Sequence, residues 1–302
     1  MAAKRSFVHY QDIRHRLPPS PLCHHQPEVC DDVLALSECF DTFLFDAFGV
    51  LNVGQHAIIN APAQVAELRA QGKNLFIVSN AASYAKQHVV TKFRRLGFDF
   101  GEQEIITSRD ALLNGLHNYP DNMRWGLIAP HDGQEDLHER GVVTITQDDP
   151  DFLDCDGFLF LSSLSWDDAQ QQHFVAALHD RPRPILLGNP DLIAPMGDHS
   201  STEPGSYVLC LEDHLFDHAK VFGKPFAEIF NIVAKRLEDQ GKHFDHARTL
   251  MLGDTLHTDI LGGNAYGIAT ALVSGEGFFR GLDPLPYIEE SGIVPDYLLP
   301  RL

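Results

Sequence analysis

The chain of 302 residues is 44% hydrophobic and 22% charged, a composition that supports a large buried core in one or two domains. Its 42 Asp and Glu against 23 Lys and Arg leave a formal charge of -19, which repels phosphate backbones and anionic lipid and disfavours nucleic-acid and membrane partners. No apolar run approaches the roughly 18–20 residues that span a bilayer, so a membrane-spanning role is excluded too.

Residues 1–36 lack sustained periodicity and carry Pro18-Pro19-Ser20-Pro21 and Cys23-His24-His25; they read as an extended arm with little helix. No apolar segment follows Lys4 and Arg5 to make a signal peptide, and five cysteines without paired spacing suit reduced thiols. The expected compartment is therefore the cytoplasm. From Thr42 the pattern changes. Thr42-Phe43-Leu44-Phe45 predicts a short buried strand ending at Asp46, followed by a loop with Gly49, Asn52 and Gly54. A helix follows with Pro62 in its first turn, Val65 and Leu68 as its apolar stripe and Gly72 as its stop. The unit repeats: Leu75-Phe76-Ile77-Val78 ends at Ser79-Asn80, then a helix from about Ser83 carries Val89, Val90, Phe93 and Leu96 and closes at Gly97.

Residues 116–215 hold further strands at Trp125-Gly126-Leu127-Ile128, Val142-Val143-Thr144-Ile145, Phe158-Leu159-Phe160-Leu161 and Ile185-Leu186-Leu187, with helices near Gln134 to Arg140 and Asp168 to Leu178. That is enough material for an inserted domain of its own. The first pattern then returns. Pro225 opens a helix with Phe226, Ile229, Phe230, Val233 and Leu237, closed by Gly241; Thr249-Leu250-Met251-Leu252 ends at Gly253-Asp254, and Ala269-Thr270-Ala271-Leu272-Val273 is a last strand. Alternating strands and helices predict an α/β fold with a doubly wound parallel sheet, built from 37–115 and 216–302 and interrupted by the 116–215 insert.

Three of these strands end in residues capable of chemistry: Asp46, Ser79 and Asp254. Ligands of open α/β sheets bind outside the carboxyl ends of strands, so three ends distant in sequence can meet in one crevice. Each residue taken alone is also an ordinary turn or cap residue. The surroundings are more specific: Phe45-Asp46-Ala47-Phe48-Gly49-Val50-Leu51, Ile77-Val78-Ser79-Asn80, Phe222-Gly223-Lys224-Pro225 and Gly253-Asp254-Thr255-Leu256-His257-Thr258-Asp259. With Ala265-Tyr266-Gly267-Ile268 and Asn189-Pro190-Asp191, these motifs resemble the haloacid dehalogenase superfamily, class IIA, the NagD-like phosphatases. The likeness covers about residues 40–280.

The resemblance implies a Rossmann-like core with an inserted cap and Mg²⁺-dependent hydrolysis of a small phosphorylated metabolite, such as a sugar or nucleotide phosphate. Asp46 would be the nucleophile that forms an aspartyl-phosphate. Ser79 and the amide of Asn80 would hold the phosphoryl oxygens, and Lys224 would neutralise charge on nucleophile and phosphate. Asp46, Asp254 and the backbone carbonyl of Phe48 would bind Mg²⁺, with Asp259 supporting that shell; a homodimer is the implied assembly. The physics agrees, because a carboxylate approaches a dianionic phosphate only when cations cancel the repulsion.

One position departs from the family. Its phosphatases carry a second Asp two residues after the nucleophile, which protonates the leaving alkoxide; here that residue is Phe48. A phenyl ring cannot transfer a proton, and such help is typically worth 10²–10⁴-fold. Three readings stay open. The first is a phosphatase for esters with good leaving groups, or one that borrows an acid such as a histidine from the insert. The second is a 2-haloacid dehalogenase-like carbon–halogen hydrolase, whose Asp-Ala-Tyr-Gly resembles Asp46-Ala47-Phe48-Gly49. The third is a low-activity phosphate-ligand-binding or regulatory protein.

Weaker signals stand beside these. His214 and His218 would share one face of a helix, as a metal pair can. His131 is a candidate cap residue facing substrate. Cys23, His24, His25, Cys30 and Cys39 match no usual zinc spacing, and His243 and His246 read as surface residues.

Overall fold

In the computed structural model, which describes residues 2–21, 25–195 and 200–302, the apolar runs form two parallel sheets. The larger has seven strands in the order Glu28–Val29, Tyr297–Leu299, Ala269–Val273, Thr249–Gly253, Thr42–Phe45, Asn74–Ser79 and Ile105–Thr107. All four residues of Thr42–Phe45 and all five of Thr249–Gly253 are buried, because helices cover both faces of the sheet. Alternation sorts the side chains. Phe43, Phe45, Leu75, Ile77, Leu250 and Leu252 pack on Val65, Leu68, Val90 and Phe93 from helices Ala61–Ala70 and Lys86–Arg95. Leu44, Phe76, Val78 and Met251 pack on Ile229, Phe230, Val233 and Leu237 of helix Ala227–Asp239.

The second sheet is built from the insert, with strands ordered Ala219–Val221, Ile185–Leu187, Gly157–Phe160, Arg124–Ile128 and Val143–Thr146. Its edge strand Ala219–Val221 pairs in register with Ile185–Leu187, so the insert's sheet runs past the limit at 215 expected from sequence. Two helix starts also shift. The second helix begins at Lys86 rather than near Ser83, and Pro225 precedes its helix by two residues, whereas Glu135–Glu139 lies where expected, capped by Gln134 and Arg140. Gly72, Gly97 and Gly241 do take left-handed backbone just after their helices, where a side chain would be strained.

The N-terminal arm is the main correction. Ala2–Asp12 is an α-helix, followed by the short turn Arg14–Arg16, where an extended segment was expected. Phe7, Tyr10, Ile13 and Leu17 recur at helical spacing and are buried in one apolar cluster. That cluster joins insert residues such as Phe158, Phe160 and Trp166 to Leu256, Ile260 and Phe279 of the core. Polar contacts fix the same wedge: Tyr10 Oη accepts from Leu192 N at 3.1 Å, and Arg16 donates to Leu209 O at 2.7 Å. Among the described residues no helix is long and apolar enough to cross a membrane.

Candidate active site

The order of the large sheet decides where the site lies. From Thr42–Phe45 the chain winds outward in one direction through Asn74–Ser79 and Ile105–Thr107, and the returning segment winds in the other from Thr249–Gly253. The switch point falls between these two central strands, and Asp46 and Asp254 stand at their carboxyl ends. Leu252 faces Phe45 and Ile77 faces Phe45 in register, so Asp46, Ser79 and Asp254 follow within two residues of aligned positions.

Lys224 joins them from the segment that re-enters the core. Its Nζ lies 2.5 Å from Asp46 Oδ1 and 2.7 Å from Asp259 Oδ1, with the lysine almost wholly buried. Burial works against its charge, but Asp259 and Asp46 outweigh it and hold its pKa above the ordinary lysine value. Asn80 is the strut of this corner. Its Oδ1 accepts from Lys224 N at 2.7 Å, and its Nδ2 donates to Lys224 O at 3.0 Å and to Asp191 Oδ1 at 2.8 Å. The side chain of Asn80 thus ties the end of one strand to Lys224 and to the insert. Gly223, at φ +106, lets the backbone pass Asn80 closely, since a Cβ there would lie 2.5 Å from Asn80 Oδ1.

Asp254 and Asp259 are buried and held by backbone. Phe278 N donates to Asp254 Oδ2 at 2.7 Å, Thr255 Oγ1 donates to Asp254 Oδ1 at 2.8 Å, and Thr255 N donates to Asp259 Oδ2 at 3.1 Å. The last contact arises in a π-helical turn, Leu256–Ile260, which folds Asp259 back over the strand end. Burial first, then the neighbouring carboxylates, pushes the Asp254 pKa well above the usual range. Burial likewise raises Asp259, opposed by Lys224, to about 6.

Oxygens of Asp46, Asp254 and Asp259 all lie within 4.8 Å of one another. One buried lysine serves this cluster of three carboxylates: Lys224 pairs with Asp46 and Asp259, and among the described residues no cation pairs with Asp254. A surplus of buried carboxylate oxygen is the donor chemistry of a hard divalent cation, so the residues fit the expected metal.

A cavity of about 550 Å³ opens on this cluster between core and insert. Asp46, Phe48, Ser79, Asn80, Lys224, Asp254 and Asp259 all line it, so every sequence-predicted site residue is gathered there. The Phe48 ring is half-buried against the Phe45 cluster and carries Lys92 Nζ 4.2 Å from its centroid. Burial lowers the Lys92 pKa to about 8, with Asp46 opposing.

Other candidates fall elsewhere. His131 is exposed and pairs with Asp148 at 3.0 Å. The helix of His214, Asp213–Phe216, is a single turn, so the predicted pair with His218 does not form. His214 lies instead 3.4 Å from His179 and 3.6 Å from Glu212. Cys23 and His24 lie outside the described residues, whereas His25 pairs with Asp296 and Cys30 and Cys39 are free thiols. His243 and His246 are exposed. Sequence reading did not single out Tyr10, Lys92 and Glu203, which also line the cavity. For Tyr10 the signal was present in the 7, 10, 13, 17 spacing; for Lys92 none was, since a helix-borne lysine is ordinarily solvated.

A family model described as haloacid dehalogenase-like hydrolase matches residues 43–143, and one described as HAD-hydrolase-like matches 221–299. The chain is 30% identical to chronophin of Homo sapiens over 245 residues, 76% of this chain and 79% of that one. It is 29% identical over 287 residues to a glycerol-3-phosphate phosphatase of Gallus gallus, 85% of this chain and 88% of that one. Among solved structures, a possible sugar phosphatase from Cytophaga hutchinsonii superposes with a TM-score of 0.81 at 24% identity, covering 91% of this chain and 98% of that one; this likeness is one of fold. With Asp46, Ser79 and Asp254 all inside the matched segments, the chain belongs to the haloacid dehalogenase-like hydrolases.

Proposed function

We propose that the protein is a Mg²⁺-dependent phosphatase of small phosphorylated metabolites that works through an aspartyl-phosphate on Asp46. The observation that carries this reading is the meeting of Asp46, Lys224, Asp254 and Asp259 at the switch point, facing one cavity. Asp46 Oδ attacks phosphorus, and the ester oxygen departs with the bonding electrons. Ser79 Oγ and the amide of Asn80 hold phosphoryl oxygens, while Lys224 cancels charge that would keep carboxylate and phosphate apart. Asp46, Asp254 and the Phe48 carbonyl would hold Mg²⁺, with Asp259 supporting them; bound there, the ion supplies charge neutralisation at the phosphoryl oxygens. Water then cleaves the acyl-phosphate, releasing inorganic phosphate and restoring Asp46.

Phe48 gives no proton to the leaving group, so esters of acidic alcohols and acyl phosphates are the favoured substrates. Carbon–halogen hydrolysis by a carboxylate needs no divalent metal ion, and three converging carboxylates therefore favour phosphoryl transfer over it. A steady-state assay of p-nitrophenyl phosphate, acetyl phosphate, alkyl phosphates and 2-chloropropionate tests the reading. Activated phosphates are turned over with Mg²⁺ and not with EDTA or in Asp46→Asn. Metal-independent chloride release would make the protein a dehalogenase, and silence on every substrate would favour a binding or regulatory role.

A further inference from the structure

Where the sequence pairs His214 with His218, the fold pairs it with His179 and Glu212. His179 lies in the last turn of helix Asp168–Asp180, His214 in the single turn Asp213–Phe216, and Glu212 just before that turn. The adjacent Leu178 and Leu215 are buried in one apolar cluster, which fixes the two backbones that present these side chains. His214 Nε2 and His179 Nδ1 are 3.4 Å apart, and Glu212 approaches His179 Nε2 at 3.5 Å and His214 Nδ1 at 3.6 Å. One ligand atom from each of the three lies within 4.8 Å of the other two.

Hydrogen bonds alone do not satisfy this triangle. Its contacts are longer than the roughly 2.7–3.2 Å of a good N–H···O bond. Two neutral imidazoles carry two N–H donors for three contacts, so one contact sets lone pair against lone pair. Among the described residues Glu212 pairs with no lysine or arginine, and its side chain does not cap the turn it precedes. A cation that takes one lone pair from each side chain removes the conflict. Around a tetrahedral zinc with bonds of about 2.0–2.1 Å, ligand atoms stand about 3.3 Å apart, a separation that rotation of these exposed side chains reaches. The carbonyl end of the 13-residue helix Asp168–Asp180 and the formal charge of -19 both attract a cation. Imidazole ligands select zinc over magnesium, which takes oxygen.

We propose that His179, Glu212 and His214 bind Zn²⁺ on the surface of the insert, with water completing the tetrahedron, at a site separate from Asp46, Asp254 and Asp259. The ion pins the end of helix Asp168–Asp180 to the segment that the N-terminal arm grips through Arg16, which donates to Leu209 O and to Asp213. The site is independent of the phosphatase reading.

The test is calorimetric titration of the untagged full chain with Zn²⁺ in a large excess of Mg²⁺. One Zn²⁺ should bind with a Kd of about 10 μM or tighter, and His179→Gln and His214→Gln should each weaken it about tenfold or more. Asp254→Asn should leave that affinity unchanged. Co²⁺ in place of Zn²⁺ should give the visible absorption of a tetrahedral site, lost in both histidine variants. Zn²⁺ should also raise the melting temperature of the unaltered chain more than that of His179→Gln. No binding in this range, binding that survives both glutamine variants, binding lost in Asp254→Asn, or equal melting shifts would overturn the proposal. Melting in EDTA checks that each variant folds. Turnover of p-nitrophenyl phosphate with Mg²⁺ alone should be the same in His179→Gln as in the unaltered chain; its absence from both would refute the phosphatase reading and leave the zinc site standing.

Discussion

Phe48→Asp places a carboxyl where the chain has a ring, and the surroundings of that ring set the size of the effect. Phe48 is half-buried beside the Phe45 cluster, so about half of the 1.5–3 kcal/mol of a fully buried side chain is lost, roughly 1 kcal/mol. The new carboxylate would lie under the Lys92 ammonium, exchanging a cation–π contact for an ion pair and returning part of that loss. Proton transfer at this position is worth 10²–10⁴-fold, or about 3–5 kcal/mol of barrier, for an alkoxide leaving group. For p-nitrophenolate, which leaves without a proton, it is worth little. Lys92 also holds the carboxyl ionised, so Phe48→Asp alone should fall at the low end of that range and Phe48→Asp with Lys92→Met higher. The assay is kcat/KM for 2-hydroxyethyl phosphate divided by that for p-nitrophenyl phosphate, with Mg²⁺. A ratio unmoved in both variants, with melting temperatures intact, would refute the argument that the missing acid limits the enzyme.

Two further outcomes are expected. Gly277, at φ +61, packs on Asp254 so closely that a Cβ would lie 2.0 Å from Asp254 Oδ2 and 2.7 Å from Gly49 Cα. Gly277→Ala should therefore displace that carboxylate and raise the Mg²⁺ concentration needed for turnover by about 10–100-fold; an unchanged Mg²⁺ titration would show that Asp254 does not hold the ion. His257 is buried, stacks on Tyr10 at 4.9 Å, and bonds Gln11 Oε1 at 2.8 Å; burial, aided by Arg14, lowers its pKa to about 3. A histidine with a depressed folded pKa contributes stability that is complete above the unfolded value near 6.5 and is lost as pH falls toward 3. Melting temperature should then drop more steeply from pH 6.5 to 4 in the unaltered chain than in His257→Phe, and equal slopes would place the acid-sensitive contact elsewhere.

The strands and helices around the site were legible because their signals are local. Thr42–Phe45 and Thr249–Gly253 are apolar runs ended by an aspartate, and Gly72, Gly97 and Gly241 end helices through backbone geometry that neighbours alone dictate. The arm misled for the opposite reason. Lys4, Arg5 and the prolines at 18, 19 and 21 hid the spacing of Phe7, Tyr10, Ile13 and Leu17, whose value depends on a partner surface supplied by both the insert and the core. The same holds for the predicted histidine pair: His214 and His218 are four apart, but the helix beneath them is one turn long and His179 arrives from another element.

The residue types of the site, Asp46, Ser79, Lys224, Asp254 and Asp259, were determined by the sequence, because strand ends and motif spacing are properties of contiguous chain. Their meeting was decided by the order of seven strands, which puts two segments some two hundred residues apart side by side. Tertiary structure alone also made Asn80 a strut between Lys224 and Asp191, and set Lys92 over the Phe48 ring. Burial and neighbouring charge arise only from packing, and they turn an ordinary helical lysine into a cation that faces a cavity.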